Sequence, residues 1–279
     1  MGMQFLKRPG MKLIIVLIIV GVVLLIGLNL HKGTSGPSSP TDTLYQYSTI
    51  DALMLGLYGG GVTMQNLTTH GDFGIGTFDH LDGEMIVLDG TVYQARADGT
   101  VSQAAPANTS PFAEVTFFKP DRSYPLTRSD NISSLTSALD AFLPGKNHFS
   151  MIRIDGTFPT VKVRAIPAQQ IPYPKLEDAS KEQKVYTLSN VSGTVVGVWS
   201  PSFVQGITVP GYHLHFISAD RKSGGHILDI SIDQATFSLE EISGFTMDLP
   251  TTGDFLTTDL SGNQSTALNT VEKGAASTR

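Results

Sequence analysis

Three of the chain's seven histidines fall within fourteen residues. They lie in Gly211-Tyr212-His213-Leu214-His215-Phe216-Ile217-Ser218 and, a few positions on, Gly224-Gly225-His226. Side chains alternate across an extended strand, so His213 and His215 share one face while Tyr212, Leu214 and Phe216 share the other. Two imidazoles so spaced reach one ion. Gly224-Gly225 lets the chain turn back, and a wide loop brings His226 alongside; the expected register pairs it near Phe216 or Ile217, diagonal to His215. Three imidazoles with open positions are the arrangement of catalytic zinc. The chain has no cysteine, so a metal must be held by His, Asp or Glu. His-x-His also occurs in cupin-like iron or manganese sites, where Asp220 would have to supply the added carboxylate. The bland alternative is three surface histidines on a polar strand face.

Two charged residues interrupt apolar patterns elsewhere. Glu84 shares strand parity with Ile86 and Leu88, and a carboxylate on such a face is either paired or functional. Arg164 lies on an alternating strand whose other face carries Val161, Val163 and Ala165. An ordinary salt bridge is the plain reading of that arginine.

In longer blocks the sequence resembles the alpha-acetolactate decarboxylase family. The blocks are Gly71-Asp72-Phe73-Gly74-Ile75-Gly76-Thr77-Phe78, Leu81-Asp82-Gly83-Glu84-Met85, Ile152-Arg153-Ile154-Asp155-Gly156-Thr157-Phe158, Val161 to Arg164, and Gly211 through His226. The likeness runs from about Tyr45 to about Lys273. It implies a zinc-dependent carboxy-lyase converting 2-acetolactate to acetoin and CO2, on an α+β, two-domain fold that is often dimeric. It places the Zn2+ ligands on His213, His215 and His226. It assigns catalytic parts to Glu84, Arg164 and Thr77, and to Glu272 as a second carboxylate folded back over the metal. The chemistry suits these residue types. A cation chelated by the substrate's hydroxyl and carbonyl oxygens holds the enediolate left as CO2 departs. The planar fork of Arg164 suits a carboxylate, and a carboxylic acid of raised pKa suits the protonation that follows. In this reading Thr77 hydrogen-bonds substrate or Glu84. The competing functions are a three-His metal hydrolase or cupin-like oxygenase, and a non-catalytic, surface-anchored binding module of the same fold.

The elements that must position these groups read as mostly β. A capping box at Ser48-Thr49-Ile50-Asp51 opens a short helix through Leu57, ended by Gly59-Gly60-Gly61. Asp89-Gly90 between 81–88 and 91–95 signals a type I′ hairpin, and Asp98-Gly99 another turn. A second helix is expected over 133–142. Strands are expected over 149–154, 160–166, 193–199, 212–218 and 226–232. The fold class is therefore α+β, with mixed or antiparallel sheets in two layers or subdomains and a few short helices; a doubly wound fold is disfavoured. Pro167 to Pro174 suggests a boundary between an N-terminal sheet subdomain (45–170) and a C-terminal metal-binding one (171–279).

Before that body stand a basic segment (1–12), an apolar run (13–30) and a flexible linker (31–44). From Leu13 to Leu30 only Asn29 is not apolar, a length of about 27 Å at helical rise, enough to span hydrocarbon. Lys7, Arg8 and Lys12 ahead of it orient the remainder outward. The expectation is one N-terminal transmembrane helix anchoring an extracytoplasmic domain, or a secreted chain if that segment is cleaved. The chain has 279 residues and a net charge of −6, with 19 basic and 25 acidic residues. Setting aside the four basic residues before position 33 leaves 15 against 25, or −10. So acidic a body offers no phosphate-tracking face, and a nucleic-acid partner is excluded.

Overall fold

Alternating apolar residues and tight turns shape most of the chain into antiparallel strands. The computed structural model describes residues 42–273. Seven strands make one sheet: β1 (Thr43–Tyr47), β2 (Phe73–Thr77), β3 (Glu84–Leu88), β4 (Thr91–Ala95), β5 (Val101–Gln103), β6 (Ala113–Thr116) and, from near the end of the chain, β13 (Gly244–Asp248). Their order is β13-β1-β6-β2-β3-β4-β5, with only β13 and β1 parallel. Six strands make the second: β7 (Arg122–Leu126), β8 (Phe149–Ala165), β9 (Lys184–Ser200), β10 (Gly211–Ser218), β11 (Gly224–Ser231) and β12 (Gln234–Ile242), in the order β9-β10-β11-β8-β12-β7. Because β8 also pairs with β9, strands β8 to β11 close into a ring. Strands from both sides of the proline-rich stretch enter each sheet, so the sheets do not divide at Pro167–Pro174.

Asp89 and Gly90 take φ of 52° and 76° and join β3 to β4, the left-handed pair that a type I′ turn requires. The expected strands over 149–154 and 160–166 are instead one 17-residue strand, β8. One edge of β8 follows β9 throughout; the other pairs with β12 over Phe149–Thr157 and with β11 over Thr160–Arg164. Pro159, which has no N–H to give, stands at that change of partner, where a ladder can do without a donor. It reads locally as a strand break and is in fact a junction.

The helices that bear on the site are α1 (Ile50–Met54), α2 (Ile132–Leu139) and α3 (Ser265–Lys273). Thr49, not Ser48, caps α1 by accepting the Ala52 N–H, and α1 ends before Gly56 rather than running to Leu57. In α2 the Asn131 and Ser134 side chains form a reciprocal capping box, so it starts and ends earlier than expected.

Between the sheets lie Phe73, Ile75, Ile86 and Leu88 from the first, packed with Met151, Val196, Val198 and Ile217 of the second. A separate apolar cluster unites α1 with Tyr58, Phe112, Ile166, Val209 and the buried Leu268 and Val271 of α3. The apolar run over 13–30 and the anchor read from it lie outside the described residues. Among the described residues no helix is long and apolar enough to cross a membrane.

Candidate active site

Strand register assembles the site. His215 on β10 pairs directly with His226 on β11, and His226 pairs on its other side with Arg164 on β8. The three side chains therefore stand in one row on one face, with His213 two residues along β10 from His215. The wide loop is present, with Ser218 N–H donating to the Ser223 carbonyl at 2.8 Å. His226 sits straight across from His215, however, not diagonally as expected. The loop closed by Ser218 and Ser223 sets that β10–β11 register, and two further features set His226 against Arg164 on β8. A bulge in β11 shifts the pairing between Lys162↔Asp229 and Val163↔Ile227; an unbroken ladder would set Arg164 against Ile227 and turn His226 to the opposite face. Gly225, at φ 147°, passes so close to β8 that a Cβ there would lie 2.5 Å from the Arg164 carbonyl oxygen.

The first sheet brings Glu84 from the start of β3 to the end of the layer between the sheets. The same strand fixes a histidine, since His215 Nδ1 donates to the Met85 carbonyl at 2.8 Å, leaving Nε2 as the nitrogen with a free lone pair. α3 supplies Glu272. Helical spacing from the buried Leu268 and Val271 places its carboxyl over the row, and His226 Nε2 lies 3.1 Å from the Glu272 carbonyl oxygen.

Each of the three Nε2 atoms faces a carboxylate oxygen: His215 that of Glu84 at 3.6 Å, and His213 and His226 that of Glu272 at 3.8 and 3.7 Å. Arg164 spans the acids, its Nη1 3.8 Å from Glu84 and its Nη2 3.8 Å from Glu272. One nitrogen from each ring lies within 4.8 Å of the other two, the only such grouping of potential metal ligands among the described residues. His215 Nε2, His213 Nδ1 and Glu272 Oε2 are buried without a hydrogen-bond partner, which a bound cation would remedy.

Burial holds His213 down at about 3, helped by Arg164, and holds His215 and His226 well below their usual value. Neutral imidazole is the ligating form. Burial also pushes Glu84 up to about 7, with Arg164 opposing and Glu272 adding to the rise, and pushes Glu272 up to about 7 against Arg164. The cluster therefore combines three neutral donors, two carboxyls close to neutrality and one fixed cation.

A family model described as alpha-acetolactate decarboxylase matches residues 44–262. The chain belongs to that family. An alpha-acetolactate decarboxylase of Methanosarcina mazei is 47% identical over 236 residues, covering 85% of this chain and 82% of its own. That of Bacillus subtilis strain 168 is 38% identical over 79% of this chain and 87% of its own. A crystal structure of alpha-acetolactate decarboxylase from the same Bacillus strain superposes with a TM-score of 0.80 at 37% identity, covering 83% of this chain and 99% of that one. Membership in a decarboxylase family settles the choice among function classes in favour of an enzyme.

Six of the residues expected at the site, His213, His215, His226, Glu84, Arg164 and Glu272, meet in one cluster. Glu272 joins it from beyond the end of the matched family segment. Thr77 pairs with Glu84 across β2 and β3, but its hydroxyl donates to the Gly83 carbonyl at 2.7 Å and not to Glu84; it fastens the loop that delivers Glu84. Asp220, the carboxylate a cupin-like site would need, stays in the loop, accepting from Ser218 Oγ and the Lys222 N–H.

Glu114 on β6 was not anticipated. It is fully buried, accepts Thr208 Oγ1 at 2.6 Å and ties the first sheet to the segment leading into β10. Burial pushes its carboxyl up to about 7 against the Thr208 bond, with the charge of Glu272 adding to the rise. An isolated acid between Ala113 and Val115 was the available signal.

Proposed function

We propose that this chain decarboxylates 2-acetolactate to acetoin and CO2, using a zinc ion held by His213, His215 and His226. The observation that carries the reading is the convergence of three neutral, buried imidazoles with Arg164, Glu84 and Glu272. When bound, the cation supplies Lewis-acid stabilisation of the negative charge that develops as CO2 departs. The guanidinium of Arg164 binds and orients the anionic substrate. Glu84 or Glu272, each near neutrality at pH 7, holds the proton delivered to the carbon that has lost CO2. Fixing that donor on one side of the reacting carbon favours one enantiomer of the product. The packed layer between the sheets excludes water from one side of the site. Three protein ligands with open positions suit catalytic zinc, and the absence of cysteine leaves imidazole nitrogen as the softest strong donor present.

The test is acetoin formation from racemic 2-acetolactate by the purified protein, with and without a chelator, alongside metal analysis. The expected outcome is chelator-sensitive turnover with about one zinc per chain. Turnover undiminished after the metal has been stripped would defeat the metal-dependent reading. Where Glu84 is the donor, Glu84→Gln, which keeps size and hydrogen bonding but cannot supply the proton, lowers kcat by about 10²- to 10⁴-fold with metal content unchanged, and an unchanged kcat assigns the proton to Glu272.

The apolar run over 13–30 behind Lys7, Arg8 and Lys12 supports an exported chain, anchored or cleaved. Protease accessibility of the folded body in intact cells tests that placement.

A further inference from the structure

The space that Thr77, Glu84, Arg164, His213 and Glu272 line together with apolar residues around α1, Ile50 and Phe112 among them, is about 30 Å³. That is room for a water molecule and not for a five-carbon acid. A second cavity, of about 690 Å³, lies on the other side of Glu272. Its walls include Thr136 of α2, Tyr212 and Leu214 of β10, Leu228 of β11 and Leu268 of α3. It exists because β10 and β11 are paired only from His215–Ile217 to Gly224–His226 and diverge beyond that point, so α2 and α3 roof the fork between them. Glu272 lines both spaces, and His226 lines the larger one.

We infer that the fork cavity is the entry site through which a small 2-hydroxy-3-oxo carboxylate reaches the histidine cluster, with the Glu272 side chain as the partition between the two spaces and Lys273 as the group that first attracts the anion. This rests on the reaction proposed above. Three features support it. The inner space must enlarge to accept substrate, and the partition is a side chain on the last turn of a short helix, not a sheet strand. The wall is apolar enough to take the substrate's methyl groups, while His226 and Glu272 mark its inner end. Among the described residues Lys273 is the sole lysine or arginine on this wall. In a chain of net charge −6 an anion needs such a local cation at the mouth.

The test compares wild type, Thr136→Trp, Thr136→Ser, Ser133→Phe and Lys273→Gln for acetoin formation, metal content and melting temperature. Thr136 and Ser133 stand on α2 and line the fork cavity but not the space beside Glu84 and His213, so bulky replacements there fill the cavity itself. If the cavity is the route, Thr136→Trp and Ser133→Phe lower kcat/KM by about tenfold or more with metal content unchanged, while Thr136→Ser stays at the wild-type value. Lys273→Gln raises KM by about three- to tenfold at low ionic strength, leaves kcat unchanged, and loses that difference at high salt. If both bulky variants retain wild-type kcat/KM, the cavity is not the route and the inference fails, whatever the wild-type activity. If a bulky variant does not fold, the other bulky variant and Lys273→Gln decide. A wild-type protein that binds metal but forms no acetoin overturns the proposed reaction itself, and this inference with it.

Discussion

Arg164 is the residue on which the charges of the site turn. Its guanidinium places one nitrogen toward Glu84 and another toward Glu272, at equal distances of 3.8 Å, while its own backbone sits opposite His226. A lysine ammonium is a single point and cannot face both acids at once. Arg164→Lys should therefore retain a folded, metal-binding protein yet lose about 10²-fold in kcat/KM through misplacement of substrate and carboxyls. Arg164→Ala removes the cation between two buried acids and should lower stability by about 3 kcal/mol, read from denaturant unfolding. Equal kinetics for arginine and lysine would show that only the charge matters. The residue types of the site were legible in the sequence. Three histidines at this spacing announce a ligand set, and Glu84 stands out on an apolar strand face. Glu114 escaped notice because nothing near it in sequence hints that Thr208, 94 positions away, donates to it.

At the scale of elements, the site is a problem of register. His-x-His parity is a local property of β10, so one sequence suffices to read it. The parity of His226 depends on a bulged strand opposite β8, and neither the bulge nor the β8 pairing can be seen from 211–226 alone. The placement of His226 straight across from His215 follows instead from the loop closed by Ser218 and Ser223, whose length fixes the β10–β11 ladder. Gly225→Ala tests the element: a Cβ would press to 2.5 Å from the Arg164 carbonyl oxygen at a φ of 147°. Either the backbone shifts or the register slips. The variant should lose about 1–3 kcal/mol of stability and bind a metal ion more weakly, measured by unfolding and by competition with a chromogenic chelator. Glu272 is named by the family resemblance and not by its own surroundings, for a different reason. A nine-residue helix at the end of a chain looks frayed until the apolar pocket around Ile50, Leu53, Tyr58 and Phe112 is known to receive Leu268 and Val271. Leu268→Ala should loosen α3 at a cost of about 2–3 kcal/mol locally, lowering activity more than it lowers the global melting temperature.

Across the whole molecule, the layer between the two sheets carries the apolar core at its centre and carboxyls at its margins. Glu84 lies at one margin. Glu240 on β12 lies opposite Met151, which belongs to that layer, and Glu240 is 1% exposed. It accepts the Lys119 N–H at 3.3 Å, and its other oxygen is unpartnered. Burial is the main cause pushing its carboxyl up to about 8; the Lys119 bond opposes this, and Asp121, Asp42 and Asp72 add to the rise. The folded protein thus holds a proton on Glu240 that the unfolded chain releases near the ordinary value of 4.5. Stability from this group is fully present below about 4.5 and is lost as pH rises toward about 8, because the native state binds more protons across that window. Glu84, Glu114 and Glu272 are shifted in the same direction, so the wild-type melting temperature keeps other contributions of the same sign. The contribution of Glu240 is isolated by difference. Glutamine keeps the shape and cannot ionise, so Glu240→Gln should become more stable relative to wild type as pH is raised from 5 to 8. Glu240 touches none of the histidines, so metal content and kcat should not change. Parallel melting curves across that range would show that Glu240 is ionised, and compensated, throughout.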